Sequence, residues 1–136
     1  MKIEGGCLCG KVRYAADIDP IFVGVCHCKN CQKHTGTAFS TVVALPTPAL
    51  SMTGAPKAYE DRGDTGLVLR RSFCPDCGSS LVDEAEAMPG VSMILTGSLD
   101  DSSWVQPTME IYTDSAQPWV ALGGDRPRFG KMPPRS

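Results

Sequence analysis

The sequence predicts a mainly β fold: a small, mostly antiparallel β domain with little helix, held together by metal. Three observations carry this expectation. Short runs rich in β-branched and aromatic residues recur along the chain, and such residues suit the pleated, half-buried surface of a sheet. Its 14 glycines and 11 prolines are spread between those runs, as many short strands joined by frequent turns require. The 7 cysteines fall into three tight clusters, an arrangement that points to metal ligation.

Taken in order, the first candidate strand is "KVRYAADI", residues 11–18, where Val12 and Tyr14 alternate with charged residues. "IFVGV" follows and runs into Cys26. The stretch "KNCQKHTG" after Cys28 predicts a turn or two of helix, with Gly36 as its stop. "FSTVVAL", "LVLRRSF" (leading into Cys74), "SMILTGSL" and "MEIYT" are the remaining strand candidates. Ser and Asp favour helix caps, so "DDSSW" at 100–104 reads as a short helical or 3₁₀ piece. No repeat or low-complexity block interrupts the chain.

A length of 136 residues fits one domain, residues 1–136, with room for a real core. A formal charge of -2 leaves no electrostatic footprint for nucleic acid or an anionic membrane. Arg126, Arg128, Lys131 and Arg135 gather among Pro127, Pro133 and Pro134, so residues from about 124 to 136 read as a solvated tail. "MKIEGGCLCG" lacks the apolar segment of a secretory signal, and no stretch approaches a membrane span. A cytoplasmic, reducing setting is therefore expected. Cysteines there serve metal or redox chemistry more often than disulfides, and an odd count argues against full pairing.

"CPDCG" (Cys74, Cys77) is a zinc-knuckle pattern, in which the two-residue gap brings both sulfurs round a tight turn. "CLCG" (Cys7, Cys9) ends in the same way, with a glycine directly after its second cysteine. Two such knuckles complete a tetrahedral four-thiolate site, which would be structural because a closed shell leaves no room for substrate. Plain buried cysteine is the simpler alternative. The glycines following both pairs argue for turns instead.

"VCHCKNCQKH" supplies the other three thiols. In an extended segment Cys26 and Cys28 share a face, His27 points away, and a turn returns Cys31 to the same metal. His27 then reads as a surface or supporting histidine, with proton shuttling as a further option. His34 lies three residues beyond Cys31, near enough on a helix to close the site as a fourth ligand. Spacing leaves both a three-cysteine and a closed site open.

"GGCLCGKVRY", "CHCKNCQKHTGTAFS", "FCPDCGSSL" and the later "MEIYTDSAQPWV", in that order, resemble the glutathione-dependent formaldehyde-activating enzyme family, which includes relatives of centromere protein V. The likeness covers about residues 3–120. It implies an Mss4-like β fold, also used by guanine-nucleotide-exchange chaperones. It further implies two zinc ions per chain: a structural one on Cys7, Cys9, Cys74 and Cys77, and a catalytic one on Cys26, Cys28 and Cys31 with its fourth position open. The activity implied is carbon–sulfur lyase and adduct chemistry, joining glutathione and formaldehyde to S-(hydroxymethyl)glutathione and reversing it. One departure is visible. Where many relatives carry His in an "HI" pair of the late strand, this chain has Glu110, either a pocket anion or a solvent-facing strand residue.

Zinc on three thiolates carries a net charge of about -1 by simple counting. Such ligation acidifies water weakly, whereas a fourth sulfur suits the ion, and a coordinated thiol is deprotonated. The expected partners are therefore a small thiol, glutathione or a similar one, and a small aldehyde.

The surrounding residues read as ordinary structure first. "TGTAFS" (Thr35 to Ser40) is a loop into the next strand, or else a holder of the substrate's polar end. Arg70 and Arg71 face opposite ways on a strand and read as exposed salt-bridge residues, at most one of them serving a carboxylate. Trp104 and Trp119 read as core or pocket-rim packing, and Phe73 as core. The rival readings are a non-catalytic zinc-binding interaction module, favoured if His34 closes the site, and an iron–sulfur protein, which the knuckle pattern disfavours.

Overall fold

The computed structural model describes residues 1–134. Ten strands and one α-helix make up its regular structure: β1 (Lys2–Gly6), β2 (Arg13–Asp17), β3 (Phe22–Cys26), α1 (Lys29–Thr35), β4 (Ser40–Pro46), β5 (Ser51–Thr53), β6 (Lys57–Arg62), β7 (Val68–Phe73), β8 (Ser80–Ala85), β9 (Val91–Leu95) and β10 (Met109–Ile111). Three form a small sheet in the order β1-β2-β5, and seven form a larger one in the order β10-β3-β4-β9-β8-β7-β6. Every strand pair is antiparallel except β10 on β3. The fold is mainly β, as the composition of the short runs implies.

Alternation in the sequence becomes alternation in burial. In β1, Ile3 is buried while Lys2 and Glu4 are exposed, and in β2 Tyr14 and Ala16 are buried between exposed neighbours. These side chains meet Val23, Val43, Leu45, Leu81 and Ile94 from the large sheet in one apolar cluster. Each fully buried aliphatic chain there contributes about 1.5–3 kcal/mol relative to exposure. Central strand β4, flanked by β3 and β9, carries buried Val43, Ala44 and Leu45 in a row. Edge strand β6, "KAYEDR", is mostly exposed and charged, which discourages pairing with another chain.

All six strand runs read from the sequence form strands, and the helix stops at Gly36, which takes the left-handed φ of 72°. The residues of "DDSSW" form a turn instead of a helix, because Asp101 Oδ1 accepts bonds from both the backbone N–H and the hydroxyl of Ser103. Phe73 is half-buried, Trp104 packs against the core, and Trp119 is 72% exposed.

The C-terminal residues are not a free solvated tail over their described length. They run along the outer edge of β10 as an added strand: Glu110 N–H donates to Pro127 O, and Phe129 N–H donates to Glu110 O. Tyr112 N–H donates to Lys131 O in the same manner. Prolines conceal this, because a chain with few free N–H groups can still lend its carbonyls to an edge. Arg135 lies outside the described residues.

Candidate functional site

The two glycine-terminated knuckles meet in space. Cys7 directly follows β1 and opens the turn that carries Cys9, and Cys74 and Cys77 lie in the turn between β7 and β8. Gly10 and Gly78, both with φ near 80°, let the backbone fold back beneath the sulfurs (82° and 79°). The Sγ atoms of Cys7, Cys9, Cys74 and Cys77 all lie within 4.8 Å of one another. Cys7 to Cys9 is 3.6 Å and Cys9 to Cys74 is 3.7 Å. Zinc–sulfur bonds of 2.3 Å at tetrahedral angles separate adjacent sulfurs by about 3.8 Å, so this quartet fits a closed site. Val12 N–H donates to Cys7 Sγ, and Ser79 Oγ lies 3.3 Å from Cys77 Sγ. Bonds from Ser79, first its hydroxyl and then its backbone, pull the Cys77 thiol down to about 5.

Cys26, Cys28 and Cys31 form a second group, again with all sulfurs within 4.8 Å. Cys26 ends β3, Cys28 caps α1 and Cys31 lies in the helix, so strand, cap and helix each contribute one thiol. Cys28 Sγ accepts the Cys31 backbone N–H at 3.3 Å. Hydrogen bonds from the Cys26 and Cys31 thiols pull Cys28 down to about 3, and the same crowding pushes Cys26 up. The loop is held from behind: Gln32 Nε2 donates to His27 O and to Ser115 O, and Gln117 Nε2 donates to Gln32 Oε1. Cys26 and Cys28 of this group are half-buried and Cys31 is buried; in the first group Cys7 and Cys74 are buried, Cys77 is half-buried and Cys9 is exposed.

His34 does not join the three sulfurs. Its Nε2 faces Asp83 Oδ1 at 3.9 Å, too far for a hydrogen bond, and both atoms are buried without partners. Burial, then the charge of Arg71, lowers the His34 pKa. His34, Thr35, Thr37 and Phe39 line a cavity of about 680 Å³ together with Cys7, Gly78 and Ser79 of the four-cysteine region, and none of Cys26, Cys28 and Cys31 borders it. The Thr35 hydroxyl itself is spent on Cys31 O and Phe39 O, while Ala38 and Ser40 are buried.

Three polar residues are buried where the sequence leaves a surface position open for each. His27 is buried, 2% exposed, with Nε2 2.7 Å from Glu110 Oε1. Glu110 is no solvent-facing strand residue: it is 3% exposed, and its Oε2 lies 3.0 Å from Arg126 Nε and 2.8 Å from Arg128 Nε. Burial pushes its carboxyl up, but the His27 bond and the charges of Arg128 and Arg126 outweigh this and hold it below the usual range.

Arg71 is likewise no surface residue. It is 3% exposed, with Nε 3.0 Å from Asp61 Oδ2, Nη1 3.1 Å from Asp83 Oδ2 and Nη2 3.8 Å from Cys31 Sγ. Burial raises the Asp83 carboxyl to about 7, with Arg71 pulling in the opposite direction. Arg70, its neighbour, is exposed. The faces were legible in the period of two, but which face the fold would bury was not.

Among the described residues, no helix is long and apolar enough to cross a membrane. The family profile described as glutathione-dependent formaldehyde-activating enzyme matches residues 2–115. Similar proteins include one of Talaromyces marneffei, 24% identical over 84% of this chain, and one of Phaeosphaeria nodorum, 25% identical over 84%; both are provisionally named glutathione-dependent formaldehyde-activating enzyme. The chain spans 62% and 61% of those two relatives. An uncharacterized lyase of Schizosaccharomyces pombe is 26% identical over 59% of the chain. The crystal structure of a Rhodobacter sphaeroides protein covers 92% of the chain with a TM-score of 0.59 at 19% identity, a likeness of fold. With its profile spanning both cysteine groups, the chain belongs to the glutathione-dependent formaldehyde-activating enzyme family.

Proposed function

We propose that the chain is a zinc-dependent carbon–sulfur lyase and adduct-forming enzyme. It joins glutathione, or a similar small thiol, to formaldehyde-like aldehydes and reverses that addition. Cys26, Cys28 and Cys31 are the ligands of an open zinc, and Cys7, Cys9, Cys74 and Cys77 hold a closed structural one. The observation that carries this reading is a group of three sulfurs with His34 turned away towards Asp83. A fourth protein ligand would instead favour a non-catalytic zinc module.

In the addition, a sulfur–carbon bond forms, the carbonyl π pair moves to oxygen, and the proton lost by the thiol ends on that oxygen. Zinc on three thiolates supplies a position that takes a thiol in its deprotonated form and that can polarise a carbonyl. The chain's own residues provide the frame. Strand, cap and helix fix the three ligands, and the Gln32 bonds to His27 O and Ser115 O keep the loop from opening.

Exchange NMR of thiol and formaldehyde measures adduct formation directly, including the unaided background. The wild type should accelerate exchange and Cys28→Ser should return it to background. A wild-type rate equal to background would refute the reading.

A further inference from the structure

Arg71 is an expensive residue to bury, so its surroundings call for a reason. It stands on β7 directly across from Asp83 on β8, with Asp61 reaching over from β6. These carboxylates occupy Nε and Nη1 at 3.0 and 3.1 Å, which fixes the plane of the guanidinium. The remaining nitrogen, Nη2, is thereby aimed at Cys31 Sγ, 3.8 Å away. Asp61 is itself held in place by Asn30 Nδ2 from α1, at 3.1 Å. The network therefore ties the sulfur-bearing helix to the β6–β8 meander through charged groups.

A simple ion pair does not account for this arrangement. One carboxylate would neutralise Arg71, and two leave anionic charge in excess wherever Asp83 is ionised. A sulfur cluster is a poor third partner for a merely structural arginine. Three thiolates on a divalent ion add about one more negative charge. With the metal in place, Arg71 is the cation lying between two anions, the centre on one side and Asp61 on the other. Among the described residues, it is the cationic side chain hydrogen-bonded to a sulfur of the three-cysteine group.

We propose that Arg71 is a positioning residue of the open centre: its N–H···S bond to Cys31 offsets the negative charge of the three-thiolate set and fixes how strongly that sulfur donates to the metal. This rests on the open-zinc reading above. A hydrogen bond to a thiolate withdraws electron density from sulfur, so the metal stays more electrophilic and accepts a fourth, anionic ligand more readily. Without it, the centre and the two aspartates repel one another across a dry interior. The metal is then held less tightly, although the three ligands remain.

The test uses the full-length chain with both sites loaded with Co²⁺, comparing wild type with Arg71→Met and Arg71→Lys. Two readouts are taken: the thiolate-to-cobalt charge-transfer band, and competition with a chelator for the more labile ion. In Arg71→Met the band of that ion should move to longer wavelength, and its apparent affinity should fall about 10- to 100-fold, the range typical of lost outer partners. Arg71→Lys, keeping charge without the planar fork, should recover part of both effects. The four-cysteine site serves as the internal control and should be unchanged.

Should Arg71→Met not fold, Asp61→Asn takes its place. Asp61 is 17% exposed in its side chain, and its loss frees the Nε end of Arg71. It should give a smaller shift in the same direction. A wild type with two ions, and variants with unchanged band and affinity, would overturn the role of Arg71 alone. A wild type that takes only one ion would overturn the open-centre reading, and this inference with it.

Discussion

His27 Nε2 lies 2.7 Å from Glu110 Oε1, and the two side chains, one just past the end of β3 and the other on its parallel neighbour β10, are almost wholly excluded from water. The Glu110 carboxylate accepts from His27 Nε2, and His27 Nδ1 is buried with no partner among the described residues. One carboxylate thus orients the histidine between Cys26 and Cys28 and pins the C-terminal segment through Arg126 and Arg128. Glu110→Ala leaves the largely buried Arg126 without its carboxylate, Arg128 being 40% exposed, and should cost about 3 kcal/mol by urea unfolding. Glu110→Gln, which keeps a hydrogen-bonding oxygen, should cost less.

The same residue predicts an acid limb. Its folded-state pKa lies below the ordinary value of 4.5, so in acid the unfolded chain binds more protons. Its contribution is present above that value and is lost as pH falls through the folded-state pKa. The stability gap between wild type and Glu110→Gln should therefore narrow below about pH 4.5, the unshifted position. A gap that stays constant from pH 6 to pH 3 would contradict the pairing.

Tyr14 should set an alkaline limb. It is 3% exposed, its hydroxyl lies 2.6 Å from Ser98 Oγ, and burial pushes its pKa from 10.0 up to about 12. The folded state holds the proton longer than the unfolded one, so this contribution is intact below pH 10 and declines as pH rises towards 12. The loss should be on the order of 2 kcal/mol. Tyr14→Phe, measured over the same range, should show a flatter decline.

The two sulfur groups should respond differently to mutation. Cys77→Ser breaks the quartet that joins the turn after β1 to the β7–β8 turn, and structural zinc contributes about 10 kcal/mol or more to folding in small domains. The variant should lose its cooperative thermal transition. Cys28→Ser removes a ligand from a partly exposed group at the start of a two-turn helix, and the chain should still unfold cooperatively.

The cysteine groups were legible because ligand chemistry is local: "CLCG", "CPDCG" and "CHCKNC" encode their turns within a few residues. The helix and its Gly36 stop were legible for the same reason. Four strands were not. β1 ends in two glycines, β5 has three residues, and β6 is exposed on both faces and lacks alternation. β8 carries Asp83 as the last of its three buried residues, which breaks the apolar pattern. Arg71 reads as a surface residue, Glu110 as either a pocket anion or a solvent-facing one, and Asp83 carries no signal, since nothing local distinguishes a charge whose partner lies far along the chain. For Glu110 the partners Arg126 and Arg128 lie within the proline-containing stretch that reads as tail.

The most direct measurement of the central claim is metal content of the reduced, full-length chain before and after a mild chelator. Two zinc ions per chain are expected, one on each sulfur group. The ion on Cys26, Cys28 and Cys31 should leave readily, while the one on Cys7, Cys9, Cys74 and Cys77 is retained. One tightly held zinc, or iron in place of zinc, would contradict it.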